Sequence, residues 1–311
     1  MKPQDFQSFV ARLAELTEEQ RRALAIAMSG SRSDAAAIIE ARFGDDPHCP
    51  HCASRSIRPW GRSGDLKRHR CRDCGRTFTA LTGTPLSGLH KRDVWLAYAE
   101  ALREQASVRR AAERCSIDKT TSFRWRHRFL ERPREEKAEA LRDIVEVDET
   151  FFLESFKGQR KLPREARSRG GVAQKRGLSA EQIPVLTARD RSGATLDAVL
   201  PDLSDKAVAD VLAPVVVKES ILVSDAAGRF SRFAEKAGIT HVAVKASTGE
   251  RVAGVFHIQN VNAYHSRLKS WMPPFKGVAT KYLPNYLGWR RMIDRSDRPP
   301  SPATCLAAAV G

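Results

Sequence analysis

Cys49-Pro50-His51-Cys52 and Cys71-Arg72-Asp73-Cys74 are two Cys-x-x-Cys knuckles separated by an 18-residue arm. A segment this short cannot bury enough apolar surface to fold alone, so something must staple it. Four thiolates at this spacing surround one tetrahedral ion, and the pattern is that of a structural Zn²⁺ ribbon. The arm from Ser54 to Arg70, with Arg72 and Arg76 just past it, carries eight Arg/Lys against Asp65 and Asp73. A metal-stapled hairpin with that balance points to nucleic acid.

The rest of the chain agrees. At 311 residues and 41% hydrophobic, it has room for two or three packed domains. Its formal net charge of +16 and pI of about 10.0 exceed what an enzyme of small molecules needs. DNA, RNA or an anionic membrane surface are the partners such a charge serves, because neutralised phosphates release counterions. The sequence has no apolar run of about 18 residues and no signal peptide, so a cytoplasmic, DNA-associated protein without a membrane partner is expected. Cys115 and Cys305 stand alone, and nothing suggests a disulfide framework.

Residues 1–45 read as short helices. Phe6, Phe9, Val10, Leu13 and Leu16 recur at helical spacing, Thr17-Glu18-Glu19-Gln20 is a capping box, and Ser33-Asp34 can cap a further helix over Ala35–Arg42. Residues 46–82 form the ribbon, closed by the turn residues Thr82-Gly83-Thr84-Pro85. Over 90–132, the stripe Val94, Trp95, Tyr98, Ala99 and Leu102 is followed by helix, tight turn at Cys115–Asp118, then a second helix. Val108, Ala111, Ala112, Ile117, Phe123, Trp125 or Arg126, and Leu130 supply the inward face. This predicts a helix-turn-helix whose second helix enters a major groove. Thr120, Thr121, Ser122, Arg124 and Arg126 are the candidate DNA contacts, in the stretch Arg103–Arg134 with ten Arg/Lys against four acids.

The second half, 143–295, changes period. Ile144–Phe152 alternates as a strand, Ile183–Arg189 and Ala194–Leu200 flank the turn Asp190-Arg191-Ser192-Gly193, and Ser204 caps a helix over Asp205–Val215. A short strand Ile221–Asp225, a helix Phe230–Ala237, a strand His241–Val244 and a helix Gln259–Trp271 follow. Three strands, helix, strand, helix, strand, helix is the order of a ribonuclease-H-like α/β domain with a mixed sheet. Residues 296–311 read as a flexible tail.

In such a sheet the first strand, which holds Asp148, and the fourth, which ends at Asp225, are neighbours, so two carboxylates 77 positions apart would meet. Paired carboxylates suit Mg²⁺ or Mn²⁺, and two such ions about 4 Å apart can hold both oxygens of an in-line phosphoryl transfer. In the last helix Asn262 and Lys269 share a face. An amide oxygen can complete a metal shell, and the lysine can contact a phosphate.

At this point the chain resembles the zinc-ribbon DDE-type transposases of bacterial insertion sequences, the ISXO-like group. The resemblance runs over the ribbon, the central helix pair, Val147-Asp148-Glu149-Thr150 and Ser224-Asp225. It is most specific in His257-Ile258-Gln259-Asn260-Val261-Asn262 with Tyr264-His265-Ser266-Arg267-Leu268-Lys269, and in Phe275 to Arg290. It implies a catalytic set of Asp148, Asp225 and Asn262 holding Mg²⁺ or Mn²⁺, with Lys269 behind it. It also implies terminal-repeat and target DNA as partners, and a homo-oligomer on DNA to hold two ends. Asn262 stands where most DDE enzymes hold Glu, which removes one charge from the second metal. Glu250 and His257 are the nearby groups that could compensate. The expected activity is binding of the element's terminal inverted repeats with metal-dependent cleavage and strand transfer. The alternatives are a transposase-derived DNA-binding regulator that no longer cuts, and a simple ribonuclease-H-like nuclease. The basic loop Phe156–Arg176, with eight Arg/Lys and one Glu, suits the DNA backbone and is expected to be disordered without it.

Overall fold

The computed structural model describes residues 32–44, 47–167, 179–244, 254–295 and 298–311, with residues 7, 8, 12, 171 and 173. The capping box at Thr17 and the loop residue Glu250 lie outside the described residues. Contacts divide the chain into two compact units, residues 1–104, 113–117 and 300–311 in one and residues 105–112 and 118–299 in the other.

The first unit holds helix α1 (Arg32–Ala41), strands β1 (Ile57–Ser63), β2 (Leu66–Cys71) and β3 (Thr77–Phe78), and helix α2 (Trp95–Arg103). β1 and β2 form an antiparallel hairpin, Ile57 opposite Cys71 and Ser63 opposite Leu66, with a bulge between Pro59 and Arg62. β3 adds to β2. The ribbon's core is small: Cys49, Cys71 and Phe78, with Phe43, Ile57 and Cys74 against them. That is the economy of apolar surface a metal staple offsets. In α2 the expected stripe Trp95, Tyr98, Ala99 and Leu102 is buried.

In the same unit, Pro302–Val310, expected to belong to a flexible tail, form a buried helix instead. Ser301 caps it, its Oγ accepting from Thr304 N at 3.1 Å. Ala303, Cys305, Leu306, Ala309 and Val310 are buried, and the helix packs on α1 and α2. The run of prolines before it reads as a stop, yet Pro302 occupies the first turn, where a missing N–H costs nothing. Burial pushes the Cys305 thiol up to about 12, so it is an inert core group.

The second unit holds all but the last two residues of helix α3 (Val108–Arg114), helix α4 (Lys119–Glu135), and strands β4 (Ile144–Leu153), β5 (Gln182–Asp190) and β6 (Thr195–Val199). Helix α5 (Asp205–Leu212), strand β7 (Ile221–Ser224), helix α6 (Gly228–Ala237), strand β8 (Thr240–Ala243) and helices α7 (Gln259–Trp271) and α8 (Leu283–Asp294) complete it; α9 is the Pro302–Val310 helix of the first unit. The sheet order is β6-β5-β4-β7-β8. β4 is antiparallel to β5 and parallel to β7, and β7 is parallel to β8. This mixed α/β sheet fits the expected ribonuclease-H-like arrangement.

β4 is central, and its alternation separates two chemistries rather than core from solvent. Val145 and Val147 join Leu186, Ala188 and Leu222 in a core completed by Val208 and Leu212 of α5 and Phe230 and Phe233 of α6. Glu146 and Asp148 point the other way, toward α7. α8 crosses α4 closely: a Cβ at Gly288 would lie 2.4 Å from Arg134 Cα and 2.6 Å from Pro133 O, so only glycine lets the helices meet. A buried charge network fixes the contact. Asp197 accepts from Tyr264 Oη at 2.5 Å and from Arg291, which also donates to the carbonyls of Glu136 and Arg134.

The basic loop departs from expectation over its described part. Lys157 Nζ donates to Gly277 O at 2.9 Å, and Arg167 donates to Glu154 O at 2.8 Å and pairs with Glu181. Cationic side chains expected to wait for phosphate are here satisfied by carbonyls and an acid. Residues 168–170, 172 and 174–178 of the loop lie outside the described residues.

Candidate active site and metal centre

The ribbon site is built by the two knuckles. Cys49 Sγ lies 3.7 Å from Cys74 Sγ, Cys52 Sγ 3.6 Å from Cys71 Sγ, and all four fall within 4.8 Å of one another. A tetrahedron of ~2.3 Å Zn–S bonds has edges of about 3.8 Å, so the donor set fits Zn²⁺. The amide of Cys74, aimed at Cys71 Sγ, helps draw that thiol down to about 7, toward the thiolate a metal requires.

The second site lies where β7 ends beside the middle of β4. Val147 is paired with Ser224 across the parallel β4–β7 ladder, and Asp148 and Asp225 are the residues that follow this last pair. Asp225 Oδ1 accepts from Ala227 N at 3.1 Å, which turns the chain into α6. Both carboxylates act on the same neighbours. Glu149, on the opposite face of β4, is raised by burial and by repulsion from Asp148 and Asp225, although it forms an ion pair with Arg229. Concentrated negative charge from hard oxygen donors is what a divalent cation of the Mg²⁺ class fits. Among the described residues, the four cysteines are the one group of three or more His, Cys, Asp or Glu whose donor atoms all lie within 4.8 Å.

α7 packs against this face of β4. Buried Glu146, two residues before Asp148 and on the same face, caps the helix: Oε2 accepts from Asn260 N at 2.8 Å and Val261 N at 3.1 Å, and Oε1 from Asn260 Nδ2 at 2.7 Å. One turn on, His265 Nδ1 stands 3.6 Å from Asp148 Oδ2. Asn262 lies on the turn bracketed by these two contacts, exposed, and Lys269 is exposed two turns later. His257 Nδ1 lies 3.4 Å from Glu146 Oε1 and its Nε2 2.7 Å from Arg191, so it braces the cap.

Sequence reasoning passes over Glu146, His265 and the Glu149–Arg229 pair. The one available signal is the period-2 alternation of Glu146 with Asp148, which assigns both to one face.

Of the five proposed DNA contacts on α4, the structure withdraws two. Ser122 is buried and its Oγ donates to Val108 O at 2.9 Å. Arg126 is buried, donates to Ala106 O at 2.6 Å and lies over the Phe275 ring. Both fall on the inward face of α4 because a three-to-four-residue spacing from Trp125, Phe129 and Leu130 carries them there. Thr120 and Arg124 are exposed and Thr121 is half-buried. Asp118 caps the helix, accepting from Thr120 N at 2.6 Å. Phe123, expected in the core, is instead exposed.

Comparison with known proteins gives the family. Residues 140–290 match the ISXO2-like transposase domain, and residues 31–77 match the transposase zinc-ribbon domain. The chain belongs to the zinc-ribbon, ISXO2-like DDE transposases of insertion sequences. It is 28% identical over 254 residues to a protein in transposable element ISH50 of Halobacterium salinarum, covering 80% of this chain and 86% of that one. A pre-cleavage Mos1 transpososome structure aligns with 65% of this chain and 79% of its own, at 15% identity and a TM-score of 0.18, a likeness too distant to bear on the fold.

Proposed function

We propose that this chain binds the terminal inverted repeats of its insertion sequence and carries out divalent-metal-dependent cleavage and strand transfer of DNA. The observation that supports the reading is the parallel register of β4 and β7, whose last pair, Val147 and Ser224, directly precedes Asp148 and Asp225 within the transposase-matched region. In this reading Asp148 and Asp225 hold Mg²⁺ or Mn²⁺, and the Asn262 amide oxygen completes a shell. Such cations, when bound, polarise the attacking and leaving oxygens of phosphoryl transfer. The protein's own part is positional. Glu146 anchors α7, His265 packs against Asp148, and Lys269 reaches a phosphate from the exposed face. Thr120, Thr121 and Arg124 of α4, with the ribbon arm, hold the ends, with α3 and α4 acting as a helix-turn-helix. Two ends must be held together, so more than one copy acts on DNA. Among the described residues no helix is long and apolar enough to cross a membrane.

The test is strand transfer on labelled duplexes carrying the element's own ends, with Mg²⁺ or Mn²⁺, comparing the wild type with Asp148→Ala and Asp225→Ala. Metal-dependent joining lost in both variants is the expected result. End binding without cleavage by the wild type would refute catalysis and favour a DNA-binding regulator. Cleavage without joining would favour a plain nuclease.

A further inference from the structure

Among the described residues, Phe123 is one of the few large apolar side chains left exposed, at 41%, and it lies on α4 beside Arg124. Helical period alone would bury it, and burial of Ser122, Trp125 and Arg126 instead turns it outward. It is not loose. Its ring meets His127 edge-on at 4.7 Å and Tyr282 at 5.8 Å, and His127 stacks on Tyr282 at 3.6 Å. Lys281 lies over the far ring at 4.9 Å. Burial holds the His127 imidazole down at about 4, so the stack under Phe123 is neutral at physiological pH while its surroundings are cationic. An apolar ring fixed in one orientation, framed by Arg124 and Lys281, has the chemistry of a base contact. The charges meet phosphates, and the ring meets the only apolar group on the major-groove floor, the thymine C5-methyl.

We infer that Phe123 reads a thymine methyl in the terminal repeat, with His127 and Tyr282 holding its ring in place. This rests on the proposal that α4 enters DNA, and it adds a sequence-reading residue to that proposal. Preorganisation matters because a ring already immobilised loses little side-chain entropy on binding.

The experiment titrates the full-length protein against its terminal-repeat duplex, replacing each thymine in turn by deoxyuridine, which removes only the methyl. Losing one buried methyl is expected to weaken wild-type binding about four-fold at one position. Phe123→Ala should bind the thymine and deoxyuridine duplexes alike at that position, and Phe123→Leu should keep part of the discrimination. Both substitutions are at an exposed position, and unchanged thermal midpoints verify the fold. A flat deoxyuridine profile in the wild type, or a profile that Phe123→Ala leaves intact, overturns the inference. Arg124→Ala separates the two levels. It should lower the slope of log K against log salt by about one if α4 lies on DNA. An unchanged slope and affinity would sink the α4 reading itself, and the inference with it. A lowered slope with a flat methyl profile would sink the inference alone.

Discussion

Glu146 offers the sharpest test of how α7 is held beside Asp148. Its carboxylate accepts two backbone amides at the first turn of α7 and the Asn260 side chain, with no exposure of its own. Hydrogen bonds to a charged acceptor contribute ~1.5–3 kcal/mol each, about twice the neutral value. Glu146→Gln keeps the shape and can keep two amide bonds in neutral form, losing ~1 kcal/mol from each. Removing the negative charge from a helix N-terminus costs a further ~0.5–1 kcal/mol. The sum is ~2–3 kcal/mol, or roughly 30- to 150-fold in an opening equilibrium. Glu146→Ala also leaves two N–H groups without an acceptor and should cost ~4–5 kcal/mol. Hydrogen exchange at the Asn260 and Val261 amides reads this directly. Protection should fall in the order wild type, Gln variant, Ala variant, with the β4–β5 ladder little changed. Exchange within two-fold of wild type in both variants would refute the argument that Glu146 pins the helix.

Other outcomes follow from the same geometry. Gly288→Ala should destabilise the second unit by ~3 kcal/mol, because the new Cβ meets backbone that cannot rotate away; a urea midpoint within error of wild type would contradict the close crossing. Metal analysis should find one zinc per chain, and chelation should abolish exchange protection in β1–β3 while sparing β4–β8; full protection after complete zinc release would show that the small ribbon core suffices. The His127 pKa is about 4 when folded, against an ordinary value near 6.5, because the ring is buried near Arg126 and Lys281. Stability from the neutral ring is therefore full above about 6.5 and lost as the pH falls toward 4. His127→Phe should flatten the thermal midpoint over that window; an unchanged pH dependence in the variant would assign the loss elsewhere.

Local chemistry made much of this protein readable in one dimension. Knuckle spacing specifies four sulfurs around an ion, because ligand count and chain length fix the loop that closes. Strict alternation predicts β4 over Ile144–Phe152, and the structure has Ile144–Leu153; Gln259–Trp271 is helical as its period requires. The tertiary structure alone decided what those elements face. Both sides of β4 are covered, so its polar residues form a site instead of a solvated surface, and Glu146 becomes a helix cap 114 positions from its partner Asn260. Ser122 and Arg126 looked like DNA contacts by composition, yet packing turned them inward and turned Phe123 out. The last residues looked like a tail until α1 and α2 provided a surface on which Pro302–Val310 could bury its apolar face. Periodicity records which residues share a face; only the partners that arrive from elsewhere in the chain determine whether that face meets water, a core or a ligand.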